Sequence, residues 1–199
     1  MNPWNERFKV EKFVYGTEAN MFLQEQLAVF EGKQKIACYA EGEGRNAVYL
    51  ARHGKTVTAY DYAKEGLTKT NRLALQQGVS VQTELTDLLV DPLKQEAYDG
   101  AVMIFGHFAK EQQYSVLNKI MESLKPGGVL LLELYEDAQL AYNTGGPRDL
   151  NYLYNEQQLR AWAQSFEILH FDCLEVERME GLLHTGVCKV LQCVIAKSI

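Results

Sequence analysis

A chain of 199 residues, 47% of them hydrophobic, is long enough for one domain with a full core and too short for two comfortable ones. Its 20 Lys and Arg against 26 Asp and Glu leave a net charge of −6, which argues against a nucleic-acid partner held by bulk charge. Residues 1–9 are polar and aromatic where a signal peptide needs an apolar run, and the longest apolar stretch, residues 129–132, is far below a membrane span. A cytoplasmic protein with no membrane partner is expected. Cys38, Cys173, Cys188 and Cys193 form no CxxC pair, so free and mostly core thiols with no metal site are expected. Cys188 and Cys193, five apart on a strand, should face opposite sides of a sheet.

Along the chain, short apolar runs alternate with segments of helical spacing, the pattern of a parallel sheet covered by helices. A leading helix is expected after Thr17, its N-cap, with Phe22, Leu23, Leu27 and Phe30 on one face. The first strand covers residues 35–40. A glycine turn follows, then a helix with Ala47, Leu50 and Ala51 on one face, stopped by Gly54. Strand two covers 56–60 and ends at Asp61; a helix runs toward Gly78; strands three and four cover 79–85 and 98–105. Leu117, Ile120, Met121 and Leu124 mark a helix closed by Lys125-Pro126-Gly127-Gly128, and strand five covers 129–134. Beyond it come a loop containing Gly145-Gly146-Pro147, a helix capped by Asn155 with Gln158 three residues on, and two long strands over 166–176 and 184–196. The connection between these last strands is too short for a parallel crossover, so they must form an antiparallel hairpin. The expected architecture is α/β, a Rossmann-like, doubly wound, mainly parallel sheet of seven strands with an antiparallel C-terminal strand and helices on both faces. The whole chain reads as one domain. Three stretches are expected within it: an N-terminal lid and helix over 1–31, the alternating strand-and-helix half over 32–135, and a loop, helix and hairpin over 136–199.

Between strand one and its helix lies Ala40-Glu41-Gly42-Glu43-Gly44-Arg45-Asn46-Ala47, where glycines let the backbone approach a ligand and the helix N-terminus offers N–H groups. Asp61, 19 residues after Gly42, ends strand two where a carboxylate can accept both ribose hydroxyls of a nucleoside. Asp87, after strand three, lies at the same sheet edge within reach of an adenine amino group, or is a turn aspartate. Gly42-x-Gly44-x-x-Ala47 also satisfies the dinucleotide fingerprint, which keeps a nicotinamide or flavin cofactor open.

The hairpin ending and five motifs in order carry a more specific resemblance. These are Gly42-Glu43-Gly44-Arg45-Asn46 with its following helix, Val57-Thr58-Ala59-Tyr60-Asp61, Asp87, Tyr98-Asp99 and Leu124-Lys125-Pro126-Gly127-Gly128. Across almost its whole length the chain resembles a class I S-adenosylmethionine-dependent methyltransferase, and within that class the small tellurite-resistance and thiol-methylating branch. The resemblance implies S-adenosylmethionine as cofactor and S-adenosylhomocysteine as product. It implies that the turn of Ala40, Gly42, Gly44 and Arg45 holds the methionine part. Asp61 and Tyr62 would hold the ribose side and Asp87 and Leu88 the adenine, with Phe105 flanking the sulfonium. Two positions depart from the family pattern: Cys38 stands where an acid is frequent in strand one, and Ala40 where a glycine opens the turn.

For methyl transfer, positioning and a deprotonated acceptor supply most of the catalysis. His107, just past strand four, and His184, opening the last strand, are the candidate bases; each also reads as a histidine without a role. The loop after strand five, with Tyr135, Tyr142 and Arg148, is the candidate acceptor lid, and Arg7 joins these as a substrate-binding candidate. Trp4, Phe8, Phe13 and Tyr15 are placed to fold over the cofactor or to cap the core edge. The leading expectation is methyl transfer to a small acceptor, with a thiol or other chalcogen nucleophile as the candidate. An NAD(P)-dependent oxidoreductase and a non-catalytic S-adenosylmethionine binder remain open as alternatives.

Overall fold

The structure, a computed structural model, describes residues 2–181 and 184–198. Its sheet has seven strands: β1 (Lys35–Tyr39), β2 (Thr56–Asp61), β3 (Gln82–Leu85), β4 (Tyr98–Ile104), β5 (Leu124–Tyr135), β6 (Glu167–Glu180) and β7 (His184–Ala196). They lie in the order β3-β2-β1-β4-β5-β7-β6. The first five pair in parallel, while β7 runs antiparallel to both β5 and β6. The chain turns from one half of the sheet to the other between β1 and β4, and the C-terminal ends of those two strands form the crevice where open α/β sheets bind ligands.

Strand β5 shows how the core is divided. Val129 and Leu131 pack into one apolar layer, with Phe22, Phe30, Leu50 and Leu73; Leu130, Leu132 and Leu134 pack into the other, with Val116, Leu117, Ile120 and Leu159. That alternation is the period-two signature of a strand covered on both faces. Cys188 and Cys193 fall in opposite layers, as their spacing requires.

The helices are α1 (Pro3–Phe8), α2 (Met21–Glu25), α3 (Arg45–Arg52), α4 (Lys64–Gln76), α5 (Lys110–Ser123) and α6 (Glu156–Ala163). Asn155 caps α6 by accepting from the Gln158 N–H, as expected. Three local expectations are corrected. Asn20, not Thr17, caps α2, because its side chain accepts from the Leu23 N–H, and the segment then tightens into a 3₁₀ turn over Leu27–Phe30. Strand β5 begins at Leu124, since Leu124 pairs with Tyr98 across a bulge and Lys125-Pro126-Gly127-Gly128 runs inside the strand. Strand β3 is four residues long and begins only at Gln82.

A buried charge network ties the hairpin to the rest. Glu133 of β5, with no exposed surface, accepts from both Arg178 and the amides of Asn20 and Gln192, the last two at 2.8 and 2.7 Å. Glu180 accepts from the Asn20 amide at 3.1 Å and pairs with Arg45 at 2.7 Å. Two acids and two bases thus neutralise one another beside the crevice, and the N-cap of α2, the start of α3 and the tip of β6 share one anchor.

Candidate active site

The crevice holds two adjoining cavities. The inner one is bounded by the turn after β1, by Asp61 and Tyr62 after β2, by Asp87, Leu88 and Leu89 after β3, and by Phe105 and His107 after β4. Trp4, Phe8 and Tyr15 close it from the N-terminal segment. The outer one shares Trp4, Tyr62 and His107 with it and extends to Arg7, to residues 143–148 and to Tyr152.

Backbone in the left-handed region shapes both strand ends. Ala40 (φ 50°) follows β1 and Phe105 (φ 55°) follows β4, and both line the inner cavity. A residue with a Cβ pays roughly 1–2 kcal/mol for this conformation, so the turn keeps a glycine's geometry where the side chain is a methyl. Phe105 is held in place by its N–H donating to the Glu133 carbonyl at 2.8 Å and by its ring stacking on Tyr135 at 4.3 Å. Gly42 (φ 67°) lines the cavity. Gly44 instead faces away: at φ 92°, a Cβ there would lie 2.7 Å from the Thr70 Cα. Its absent side chain lets α4 pack against the turn, a packing role.

Glu41 is the acid that sequence reasoning passed over. Its Oε1 accepts from the Asn46 and Ala47 N–H groups at 2.9 and 2.8 Å, so it occupies the N-terminus of α3. Burial pushes its pKa up to about 7 despite those bonds, and the nearby Asp61 adds to the rise. Asp61 accepts from the Gly42 N–H at 2.8 Å and the Ala63 N–H at 2.7 Å, and burial raises it to about 6. Glu43 faces the lid: it accepts from the Val14 and Tyr15 N–H groups and pairs with Lys69 at 2.7 Å. Asp87 caps its own turn through the Leu89 N–H while lining the cavity. The only local signal for Glu41 was its position inside a glycine turn; its burial depends on the chain curling back over α3.

His107 lies between two aromatic faces, 5.8 Å from Trp4 and 6.0 Å from Tyr135. Burial, reinforced by the charge of Arg7, lowers its pKa to about 4, so the imidazole is neutral throughout the physiological range. The His184 backbone opens β7, but its side chain lies outside the described residues. Arg45 lines the inner cavity with its charge already paired to Glu180. Arg7 and Arg148 line the outer cavity. Tyr135 sits behind Phe105 and His107 as the floor on which they stack. Tyr142 lines neither cavity; its hydroxyl donates to Glu175 of β6 at 2.6 Å. The structure thus brings the cofactor candidates together, apart from Gly44; of the loop tyrosines, Tyr135 lies beneath the site and Tyr142 is turned away from it.

Residues 36–128 match the family of methyltransferase domains. A Haemophilus influenzae protein named "Probable S-adenosyl-L-methionine-dependent methyltransferase TehB" is 24% identical over 133 residues, which is 66% of this chain and 45% of that protein. The chain therefore spans less than half the length of this curated relative. The crystal structure of TehB from Haemophilus influenzae superposes with a TM-score of 0.77 at 19% identity, covering 92% of this chain and 64% of that one. A structure determined for the conversion of a disulfide bond into a thioacetal group during echinomycin biosynthesis gives 0.76 at 16% identity, covering 96% and 85%. These likenesses establish the shared fold.

Proposed function

We propose that the chain is a class I S-adenosylmethionine-dependent methyltransferase that transfers the cofactor's methyl group to a small-molecule acceptor in the cytoplasm, acting as a single domain. The observation that carries the choice of cofactor is Glu41. A dinucleotide places its pyrophosphate on the N-terminus following the glycine turn, using the N–H groups there. In this chain those groups at Asn46 and Ala47 already serve a carboxylate, which would repel a second anion. The fingerprint of the turn therefore counts less for a nicotinamide enzyme than its spacing suggests. A cavity walled by Glu41, Asp61 and Asp87 suits a ligand carrying ammonium and sulfonium charge.

In this reading the backbone around Ala40 and Gly42, with Arg45, holds the methionine part. Asp61, fixed by two backbone donors, accepts the ribose hydroxyls beside Tyr62, and Asp87 and Leu88 border the adenine. Phe105 flanks the reacting centre and the N-terminal aromatics exclude water. The cofactor supplies a methyl group on a positively charged sulfur. Bound there, that methyl group would be open to in-line displacement by an acceptor nucleophile, with the carbon–sulfonium electron pair left on sulfur, and Phe105 and His107 would border the place where the two meet. His107 is then a neutral wall and a weak base, and a thiol or other chalcogen nucleophile, which ionises readily and reacts without strong general-base help, is the acceptor that this site serves best.

The test is transfer of labelled methyl from S-adenosylmethionine to a panel of small thiols, beside an assay of NADH and NADPH oxidation. Labelled thioether supports the reading. Nicotinamide oxidation without methyl transfer would replace it, and tight cofactor binding with no product on any acceptor would favour a non-catalytic binder.

A further inference from the structure

We propose that the outer cavity takes an acceptor bearing a carboxylate, held by Arg7 and Arg148; the proposal rests on the methyl-transfer reading and names the class of acceptor. In a chain of net charge −6, the described residues of this cavity's wall include two guanidinium groups and no Asp or Glu. The inner cavity is the reverse: Glu41, Asp61 and Asp87 line it, while Glu43 and Arg45 on its wall are already paired with Lys69 and Glu180. The two adjoining chambers therefore differ in sign, which would keep a cationic cofactor inside and an anionic acceptor outside.

Neither arginine is neutralised. Arg7 donates from Nη1 to the phenolic oxygen of Tyr15 at 2.7 Å and lies 4.4 Å over the Trp4 ring. Arg148 donates to the side-chain oxygen of Asn143. Among the described residues neither pairs with a carboxylate, and each keeps guanidinium N–H donors for a planar, two-point bond to one. The charge of Arg7 reaches toward the reacting end of the cleft, where it contributes to holding His107 neutral. Arg148 is positioned by a loop whose path depends on contact: Gly146 (φ 80°) passes so close to Tyr135 that a Cβ would lie 3.0 Å from its ring, and the Thr144 hydroxyl donates to the Val187 carbonyl at 2.6 Å. The loop is thus fastened to the floor of the site. Trp4 and Tyr62 stand on the wall shared with the inner cavity, with Arg7 lying over the Trp4 ring.

The test uses 4-mercaptobenzoate and its uncharged partner 4-mercaptobenzamide, titrated under reducing conditions into the full chain saturated with S-adenosylhomocysteine. Trp4, one of two tryptophans, provides a fluorescence signal from the cavity wall. The benzoate should bind about tenfold more tightly than the amide at low salt, the lower end for a charge-assisted pair at an open site. Arg7→Gln and Arg148→Gln should each remove most of that preference while leaving the amide's affinity unchanged. Equal affinity for the two probes, absence of binding by both included, or a preference that survives both substitutions, overturns the proposal. Normal S-adenosylhomocysteine affinity in those same samples would confine the failure to the carboxylate; loss of it in the unmodified chain would remove the methyl-transfer reading as well.

Discussion

Replacing Glu41 by glutamine should stabilise the protein above pH 7. Both bonds that Glu41 makes to the start of α3 fall on one oxygen, so the carbonyl of an amide can keep them while the charge is removed. In the folded protein the carboxyl is raised from its ordinary 4.5 to about 7. Below pH 4.5 the group is protonated in folded and unfolded chains and costs nothing. Between 4.5 and 7 the unfolded chain releases its proton and the folded one retains it, so stability falls as pH rises, reaching a loss of about 3 kcal/mol above pH 7. Glu41→Gln should therefore exceed the unmodified protein by roughly 2–3 kcal/mol at pH 8, and the difference should shrink to a few tenths near pH 4.5. Urea unfolding followed by circular dichroism at the two pH values measures both. A variant less stable at pH 8, or a difference that does not change with pH, would refute the placement of a buried, costly carboxylate on α3.

Gly44→Ala should cost about 2–4 kcal/mol, from left-handed strain together with the 2.7 Å approach to Thr70, whereas Gly32→Ala, with φ 71° and nothing within 4 Å, should cost only about 1 kcal/mol; equal losses in thermal unfolding would contradict the packing role given to Gly44. Arg178→Met should cost about 3–5 kcal/mol, because it leaves Glu133 and Glu180 buried with fewer cations. Adding Glu133→Leu should recover part of that loss in urea unfolding, and no recovery would argue against a charge network. With His107 held at a pKa of about 4, kcat/KM for a thiol acceptor should show no inflection between pH 6 and 7 that His107→Phe removes. Such an inflection would make His107 the base.

The order of strands and helices was legible because the apolar runs have clear periods and the glycines and Asn155 punctuate them. The short link before β7 dictated the antiparallel ending on chain-length grounds alone. What escaped depends on contacts between distant segments. Helix α1 is only six residues long, too short for its period to show. Asn20 prevails over Thr17 as a cap because its side-chain amide also reaches Glu133 and Glu180, 113 and 160 residues away. In the site, Asp61 and Asp87 were readable from their places at strand ends. The split between Gly42, which lines the cavity, and Gly44, which makes room for α4, was not, since the two look alike in the motif. Nor was the bond of Tyr142 to Glu175, which takes that ring away from the cleft and which only the folded hairpin brings within reach.

The choice of cofactor is tested most directly by calorimetric titration of the purified protein with S-adenosylhomocysteine, with NADH and NADPH titrated separately under the same conditions. Saturable binding of the homocysteine nucleoside with no measurable binding of either dinucleotide is the result that an occupied α3 N-terminus and an acidic cavity predict. Preferential binding of NADH or NADPH would contradict it.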